Sequence, residues 1–312
     1  MNIDQVGFIG LGAMGARMAA RLQSNGYALV AYDINRKISE QHLSRDNVAW
    51  MNSPRAVAEK VKLIFTSLPG PTQIQAVALG ENGLFSALLP GATWFDLSTN
   101  SPHVIRSLNK QFLEKGVDVL DAPVSGGLSG AANGKLAIWV GGNKDKFNQY
   151  KPVLDLMGDQ ILYVGDVGSA SIAKLVHNCS SMAITCILSE MMSVGVKAGV
   201  DPLMLFKAIR QGASGRRRTF DGIANQVLLG KYDPSSFALD LAHKDVALAT
   251  SLARELGVPT RMAHLVEQEL IEALNRGWGK RDSKVVSLLQ QERGGISLEV
   301  NSEELKSLLT TD

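Results

Sequence analysis

The most informative segment of this sequence is Gln5-Val6-Gly7-Phe8-Ile9-Gly10-Leu11-Gly12-Ala13-Met14-Gly15, where a short apolar run leads into a Gly-x-Gly-x-x-Gly motif. The run predicts a strand over 5–9, and the amphipathic segment 13–25 predicts the helix that follows it. Glycines at this spacing permit a tight turn, close approach of a ligand to the backbone, and close packing of helix on strand. Since the amide groups at a helix start attract phosphate, the segment predicts a dinucleotide-binding turn.

An acidic residue, Asp33, ends the next predicted strand, eighteen residues after Gly15. Its carboxylate would accept hydrogen bonds from the adenosine ribose hydroxyls and repel a 2′-phosphate, which favours NAD over NADP. Arg36 lies three residues further on and could instead cradle such a phosphate, so NADP stays open as an alternative. Strand, glycines, helix and acid in register favour a cofactor site over a tight turn with an incidental aspartate.

Strand and helix signals alternate in the first half of the chain and then give way to helices. Strands are predicted at 5–9, 27–32, 61–67, 92–97, 117–121, 135–140 and 160–164, with helices such as 13–25 and 101–114 among them. Further helices are predicted at 169–199, 202–211, 219–229, 240–256, 259–276, 281–291 and 302–309. This order predicts an α/β domain over 1–165, with a doubly wound Rossmann-type sheet, and an all-α domain over 166–312.

The composition is that of an ordinary globular protein. The 312 residues carry a net charge of +2, so no strong field calls for nucleic acid or a membrane surface. Cys179 and Cys186 lie too far apart along one predicted helix to form a disulfide, which fits a reducing compartment. The histidines show no metal-ligand spacing, so no metal is predicted. The N-terminus runs directly into the first strand, so we expect no secretory signal and a cytoplasmic location.

Four motifs, in order, resemble the β-hydroxyacid dehydrogenases, the family of 3-hydroxyisobutyrate dehydrogenase and tartronate semialdehyde reductase. They are the opening 7–15, the loop Asp121-Ala122-Pro123-Val124-Ser125-Gly126-Gly127, the segment 168–178 around Lys174, and Lys244-Asp245. The resemblance spans about residues 5–290. It implies a fold like that of 6-phosphogluconate dehydrogenase, an NAD-dependent enzyme acting on a small carboxylate, and a homodimer or homotetramer.

The resemblance also implies roles for the loop and for Lys174. Ser125, Gly126 and Gly127 would bind a substrate carboxylate through a hydroxyl and backbone amides, whereas the residues alone fit a plain connection equally well. Lys174 alone would read as a solvated helix lysine, but it matches the family's catalytic lysine. A desolvated lysine has a lowered pKa and can exchange a proton with the substrate hydroxyl. Asn178, one helical turn later, would orient that amine or bind the substrate.

By the same resemblance, the cofactor site extends beyond the glycine turn. Its expected members are Gly10, Leu11, Gly12, Ala13, Met14, Gly15, Asp33, Leu68, Pro69, Gln73, Thr99 and Lys244. Leu68 and Pro69 would line the site after the third strand, and Thr99 would contact the nicotinamide end. Lys244 would meet cofactor or substrate, although by itself it is one more charged helix residue.

The sequence departs from the family's usual pattern at three places. His177 stands where a second asparagine is common, and a glutamine usual just before the lysine is missing, with Ser169-Ala170-Ser171 in its region. The stretch Ser214-Gly215-Arg216-Arg217-Arg218 is unusually basic. It is either a solvated helix start or a reader of a second anionic group on the substrate. These departures bear on substrate identity more than on fold.

The resulting prediction is a dehydrogenase that transfers a hydride between NAD and the primary alcohol or semialdehyde of a small 3-hydroxy acid. One alternative is an NADP-dependent reductase of glyoxylate, succinic semialdehyde or tartronate semialdehyde. An imine reductase is disfavoured because those relatives generally replace the lysine. A non-catalytic dinucleotide sensor is a further alternative, and relatives without catalysis generally lack that lysine too. The helical region 175–195, which is apolar over much of its length, is expected to be buried, partly against a second subunit.

Overall fold

The computed structural model describes residues 4–36, 43, 47–216, 221–235, 237–255, 257–295, 297–303 and 305–306. The chain forms two compact units, Met1–Cys179 and Ser180–Asp312. The division falls inside a long helix, and a helix can continue from one domain into the next. The domain boundary predicted after residue 165 therefore stays a prediction.

A nine-stranded sheet organises the first unit. Its strands are β1 Gln5–Ile9, β2 Ala28–Tyr32, β3 Val48–Trp50, β4 Leu63–Thr66, β5 Thr93–Asp96, β6 Asp118–Asp121, β7 Val124–Ser125, β8 Leu136–Gly141 and β9 Gly158–Gly165. The order is β3-β2-β1-β4-β5-β6-β8-β7, with β9 paired to β8. The six strands from β3 to β6 are mutually parallel, whereas β8 runs antiparallel to β6 and β7. The predicted Rossmann-type sheet is confirmed.

Helices cover both faces of this sheet. They are α1 Gly15–Ser24, α2 Pro54–Ala58, α3 Pro71–Leu79, α4 Pro102–Leu113, α5 Gly127–Asn133 and α6 Lys144–Leu154. Successive side chains on a strand point to opposite faces, so neighbouring aromatic residues enter different cores. Phe95 stacks on Phe65 at 5.6 Å on one face, while Trp94 packs against Phe112 at 5.3 Å on the other. This double burial keeps the strands apolar along their length and leaves their ends for polar residues.

Helices make up the regular structure described after β9. They are α7 Ser169–Lys197, which begins in the first unit, then α8 Pro202–Gln211, α9 Asp221–Ala224, α10 Leu239–Glu255, α11 Arg261–Asn275 and α12 Ser287–Gly294. The core of the second unit contains Tyr232, Leu239, Leu270 and Leu289. Within the described residues, no helix combines the length and the apolar character that a membrane crossing requires.

The structure corrects some of the expected elements. Of the helix predicted over 219–229, residues 219 and 220 lie outside the described residues; the rest is α-helical at Asp221–Ala224 and continues as turns to Gly230, since Gly222 and Asn225 are weak helix formers. The one predicted over 281–291 begins as a 3₁₀ turn, Ser283–Val286, before α12. Of the one predicted over 302–309, residues 302, 303, 305 and 306 are helical, and 304 and 307–309 lie outside the described residues. The sequence pattern predicts no strand at β3 or β7, because two or three residues are too few to show a period.

Candidate active site

The three glycines of the opening motif meet different surroundings. Gly10 has φ +86°, and a Cβ there would collide with the carbonyl oxygen of Ser67. A Cβ on Gly15 would collide with the carbonyl oxygen of Gly10. A Cβ on Gly12 would meet nothing within 4 Å. Gly10 and Gly15 are therefore required by the fold, whereas Gly12 leaves open space beside the backbone, where a pyrophosphate would approach.

A cavity of about 810 Å³ opens beside this turn. Of the predicted cofactor residues, those lining it are Gly10, Gly12, Ala13, Met14, Gly15, Asp33, Leu68, Pro69 and Gln73. The rest of the wall was missed by sequence reasoning and includes Ile34, Pro54, Ala76, Val77 and Asn82, which lie on separate segments. Nothing local to those segments distinguishes them from ordinary helix and loop residues. The size and largely apolar wall suit a dinucleotide.

Leu11 and Asp33 join the turn to the second strand. The Leu11 side chain is buried in the core and is not among the residues that line the cavity. The Leu11 N–H donates to Asp33 Oδ2 at 2.6 Å, and the Asn35 N–H donates to Oδ1 at 2.6 Å. These bonds fix the carboxylate at the cavity wall while its remaining lone pairs can still accept hydroxyl groups. Nearby, the Arg36 guanidinium lies 5.1 Å from the centre of the Trp50 ring.

A buried carboxylate, Asp96, organises the loop after β5. Its oxygens accept hydrogen bonds from Thr66 Oγ1 at 2.9 Å, the Ser98 N–H at 3.1 Å and Asn100 Nδ2 at 3.0 Å. Burial raises the pKa of Asp96 to about 6, although the hydrogen bonds from Ser98, Thr66 and Asn100 act in the opposite direction. These hydrogen bonds fix Ser98 and Asn100. Thr99, between them, is exposed in the loop that follows the carboxyl end of β5.

The predicted carboxylate-binding loop is accessible at its two glycines. Ser125 is half-buried at the end of β7, and Gly126 and Gly127 have φ of +139° and +64°, a region that favours glycine. A Cβ on Gly127 would meet nothing within 4 Å, as at Gly12. The loop thus presents one hydroxyl and side-chain-free backbone to its surroundings.

Lys174 lies near the start of α7 with 8% of its surface exposed. Burial lowers the pKa of the Lys174 amine. Its Nζ is 5.9 Å from the centre of the Trp139 ring, and the His177 ring packs on Trp139 at 5.3 Å. Asn178 is exposed, and its Oδ1 lies 3.1 Å from His177 Nδ1. Trp139 was missed by sequence reasoning because it reads there as one more strand residue.

Some of the remaining candidates lie outside the described part of the chain. Lys244 and Asp245 are on α10, but their side chains are not among those described. Arg216 ends a short 3₁₀ turn and is exposed, while Arg217 and Arg218 are outside the described residues. Over the described residues, no group of three or more His, Cys, Asp or Glu could hold a metal ion. The roles of these residues and the expectation of no metal stay predictions.

Comparison with known proteins extends over both compact units. Residues 5–165 match the model for the NAD-binding domain of 6-phosphogluconate dehydrogenase, and residues 168–289 match the model for NAD-binding of NADP-dependent 3-hydroxyisobutyrate dehydrogenase. The chain is 33% identical over 294 residues to 2-(hydroxymethyl)glutarate dehydrogenase of Eubacterium barkeri, covering 94% of this chain and 97% of the relative. It is 34% identical over 296 residues to mitochondrial 3-hydroxyisobutyrate dehydrogenase of Mus musculus, covering 92% and 87%.

A solved structure agrees with these relatives. The 3-hydroxyisobutyrate dehydrogenase of Salmonella typhimurium is 26% identical, with a TM-score of 0.58 over 91% of this chain and 99% of that one. The similarity therefore extends along nearly the whole chain rather than resting on the nucleotide-binding half alone.

Proposed function

This chain belongs to the β-hydroxyacid dehydrogenase family of oxidoreductases, which use a nicotinamide dinucleotide, and on that premise we propose that it is an NAD-dependent dehydrogenase of small 3-hydroxy acids. The observation that carries the proposal is the buried Lys174 amine with its lowered pKa. A solvated lysine would be almost fully protonated near neutral pH and could not accept a proton.

The dinucleotide is assigned to the cavity beside the glycine turn. The open space at Gly12 would accept the pyrophosphate, and the fixed carboxylate of Asp33 would accept the adenosine ribose hydroxyls. A 2′-phosphate would face that carboxylate, which supports NAD as the preferred cofactor. When bound, the dinucleotide takes up the hydride in oxidation and returns it in reduction.

The substrate and the proton are assigned to Ser125–Gly127 and Lys174. The hydroxyl and the uncovered amides of the loop would hold the substrate carboxylate. In oxidation, the Lys174 amine in its neutral form accepts the proton of the substrate hydroxyl as the hydride leaves the carbon that bears this hydroxyl, so an aldehyde and an ammonium result. In reduction the ammonium returns the proton to the forming alkoxide, so the same residue carries out the proton transfer in both directions. Asn178 stays assigned to orienting the substrate or the amine.

A substrate panel with both cofactors tests this proposal. The alcohols 3-hydroxyisobutyrate and 2-(hydroxymethyl)glutarate are offered with NAD or NADP, and glyoxylate, succinic semialdehyde and tartronate semialdehyde with NADH or NADPH. We expect turnover of at least one acid, faster with NAD or NADH. Dinucleotide binding without turnover of any of them would favour a sensor instead.

Variants of Lys174 separate catalysis from binding. Lys174→Met keeps the length of the side chain and should lower kcat by roughly 10²- to 10⁴-fold, as expected for the loss of an acid/base group, while dinucleotide affinity is unchanged. Lys197→Met, exposed at the other end of the same helix, is the matched control and should keep full activity. Retained turnover in Lys174→Met would refute the assigned role.

We also propose that the protein is a homodimer or homotetramer. The region 175–195 of α7 is expected to be buried. Val194 is buried by the chain itself, whereas Leu175 and Val176 are exposed. On α8, Met204 and Phe206 are about half-exposed. Apolar faces of this kind are commonly covered by another subunit. Phe206→Glu should therefore lower the mass measured by light scattering, and a monomeric unmodified protein would contradict the proposal.

The cytoplasmic location also stays a proposal, which cell fractionation tests.

A further inference from the structure

Resting on the role proposed for Lys174, we propose that Asp121 is its positioning residue: the Asp121 carboxylate fixes the first turn of α7 to the end of β6 and thereby sets where the Lys174 amine lies. Asp121 opens the motif whose Ser125 and glycines are assigned to the substrate. Its own side chain is directed elsewhere, toward the helix that carries the amine.

Two short hydrogen bonds join this carboxylate to the start of the helix. The Gly168 N–H donates to Asp121 Oδ1 at 2.7 Å, and the Ser171 N–H donates to Oδ2 at 2.7 Å. The first N–H groups of a helix have no partners within it, and a carboxylate also interacts favourably with the positive end of the helix dipole. Asp121 is 1% exposed, so water does not compete for these donors.

The spacing along the helix transmits this restraint to Lys174. Lys174 follows Ser171 by three residues, so the two lie on the same side of α7, roughly 4.5 Å apart along its axis. A shift of the first turn would therefore move the Lys174 amine relative to Trp139, which belongs to the rigid sheet. Misplacement of a reacting group by about 1 Å can cost roughly 100-fold in rate.

The neighbouring strand leaves room for this carboxylate. Gly141 of β8 pairs with Asp121 of β6, where these two strands run antiparallel. A Cβ on Gly141 would lie 2.6 Å from Asp121 Oδ1. The same Cβ would lie 2.8 Å from the carbonyl oxygen of Asp166. Gly141→Ala would consequently displace the carboxylate without removing it, which gives a second and independent way to disturb the contact.

Asp121→Asn is the first test, because an amide has nearly the same shape but presents an NH₂ group to one of the two N–H donors. The matched control is Asp282→Asn. Asp282 is also fully buried and accepts backbone N–H bonds from Lys284 at 3.1 Å and Phe237 at 3.4 Å, but it lies in the second unit. Both variants lose a buried carboxylate, so a general loss of stability would affect both.

Hydrogen exchange and kinetics are the readouts. In Asp121→Asn and Gly141→Ala we expect amides 169–178 to exchange at least tenfold faster. With the best substrate of the panel, kcat should fall roughly 10- to 100-fold at little changed KM and dinucleotide affinity. The D₂O isotope effect on kcat should rise, because proton transfer becomes more rate-limiting, whereas Asp282→Asn should show none of this. If neither Asp121→Asn nor Gly141→Ala folds, the carboxylate is a structural cap and the inference is refuted.

Three results would overturn the inference: unchanged exchange at 169–178, faster exchange with kcat within twofold of wild type, or a raised KM with unchanged kcat. The last would assign Asp121 to the substrate loop instead. Failure of the proposed function is recognised separately, because it appears as full turnover in Lys174→Met or as no turnover by the unmodified protein.

Discussion

The amine of Lys174 lies 5.9 Å from the centre of the Trp139 ring, so one side chain of the sheet faces the residue assigned to proton transfer. Two influences on the Lys174 pKa therefore oppose each other. Burial lowers it, and the electron-rich face of the indole favours the ammonium form. This relationship leads to the first prediction.

Trp139→Leu should move the acidic limb of the oxidation rate to lower pH. Removing the ring removes an interaction that favours the ammonium form, so the pKa of the Lys174 amine should fall. The amine then becomes neutral, and able to accept a proton, at a lower pH. Trp139→Phe keeps an aromatic face and should shift the limb less. The profile of kcat against pH is the measurement, and a shift to higher pH would show that the ring acts mainly by excluding water.

Gly12→Ala and Gly15→Ala should separate binding from folding. At Gly12 the added methyl group meets no protein atom within 4 Å, so stability should be unchanged while dinucleotide Kd rises at least tenfold. At Gly15 it collides with the Gly10 carbonyl, so the free energy of unfolding should fall by about 1–3 kcal/mol. Urea unfolding and dinucleotide titration measure the two effects. Equal loss of stability in both variants would contradict this assignment.

Asp33→Asn should weaken the discrimination against NADP. The charge that opposes a 2′-phosphate is lost. The one oxygen that the side-chain amide retains can still accept a hydrogen bond from the Asn35 or the Leu11 N–H. We expect the ratio of kcat/KM for NAD to that for NADP to fall roughly tenfold, equivalent to about 1.4 kcal/mol. Asp4 directly precedes β1, whereas the glycine turn follows the other end of that strand. Asp4→Asn therefore removes a charge away from the turn and should leave the ratio unchanged. An unaltered ratio in Asp33→Asn would mean that another group selects the cofactor.

Asp96 should make stability depend on pH in the mildly acidic range. Its pKa is about 6 in the folded chain against an ordinary value of 3.8, so the folded state holds a proton that the unfolded state has lost. This contribution to stability is fully present below pH 3.8 and is lost as pH rises through 6. Between pH 4 and 7, the wild type should therefore lose about 2 kcal/mol relative to Asp96→Asn. Urea unfolding across this range measures it, and parallel curves for the two proteins would refute it.

Local patterns predicted the framework well. The predicted bounds of β1 were right to the residue, and α8 was right at both ends, because a buried apolar run and a capped amphipathic helix show their period in sequence. Within the described residues, the helix expected over 219–229 was wrong after Ala224, where turns follow. Leu11 is among the predicted cofactor residues; its side chain belongs to the core, and its backbone N–H donates to Asp33.

By itself, the sequence determined the glycine turn, the acid that follows it, the change from alternating strands to helices, and the family to which the chain belongs. Each of these depends on residues close together in the chain, or on ordered motifs that can be read without coordinates. Only the tertiary structure decided that Trp139 faces Lys174 and that Asp121 holds the helix start. The partners in those contacts are 35 and about 50 residues apart. The packing of strands and helices brings them together, and no local pattern records it.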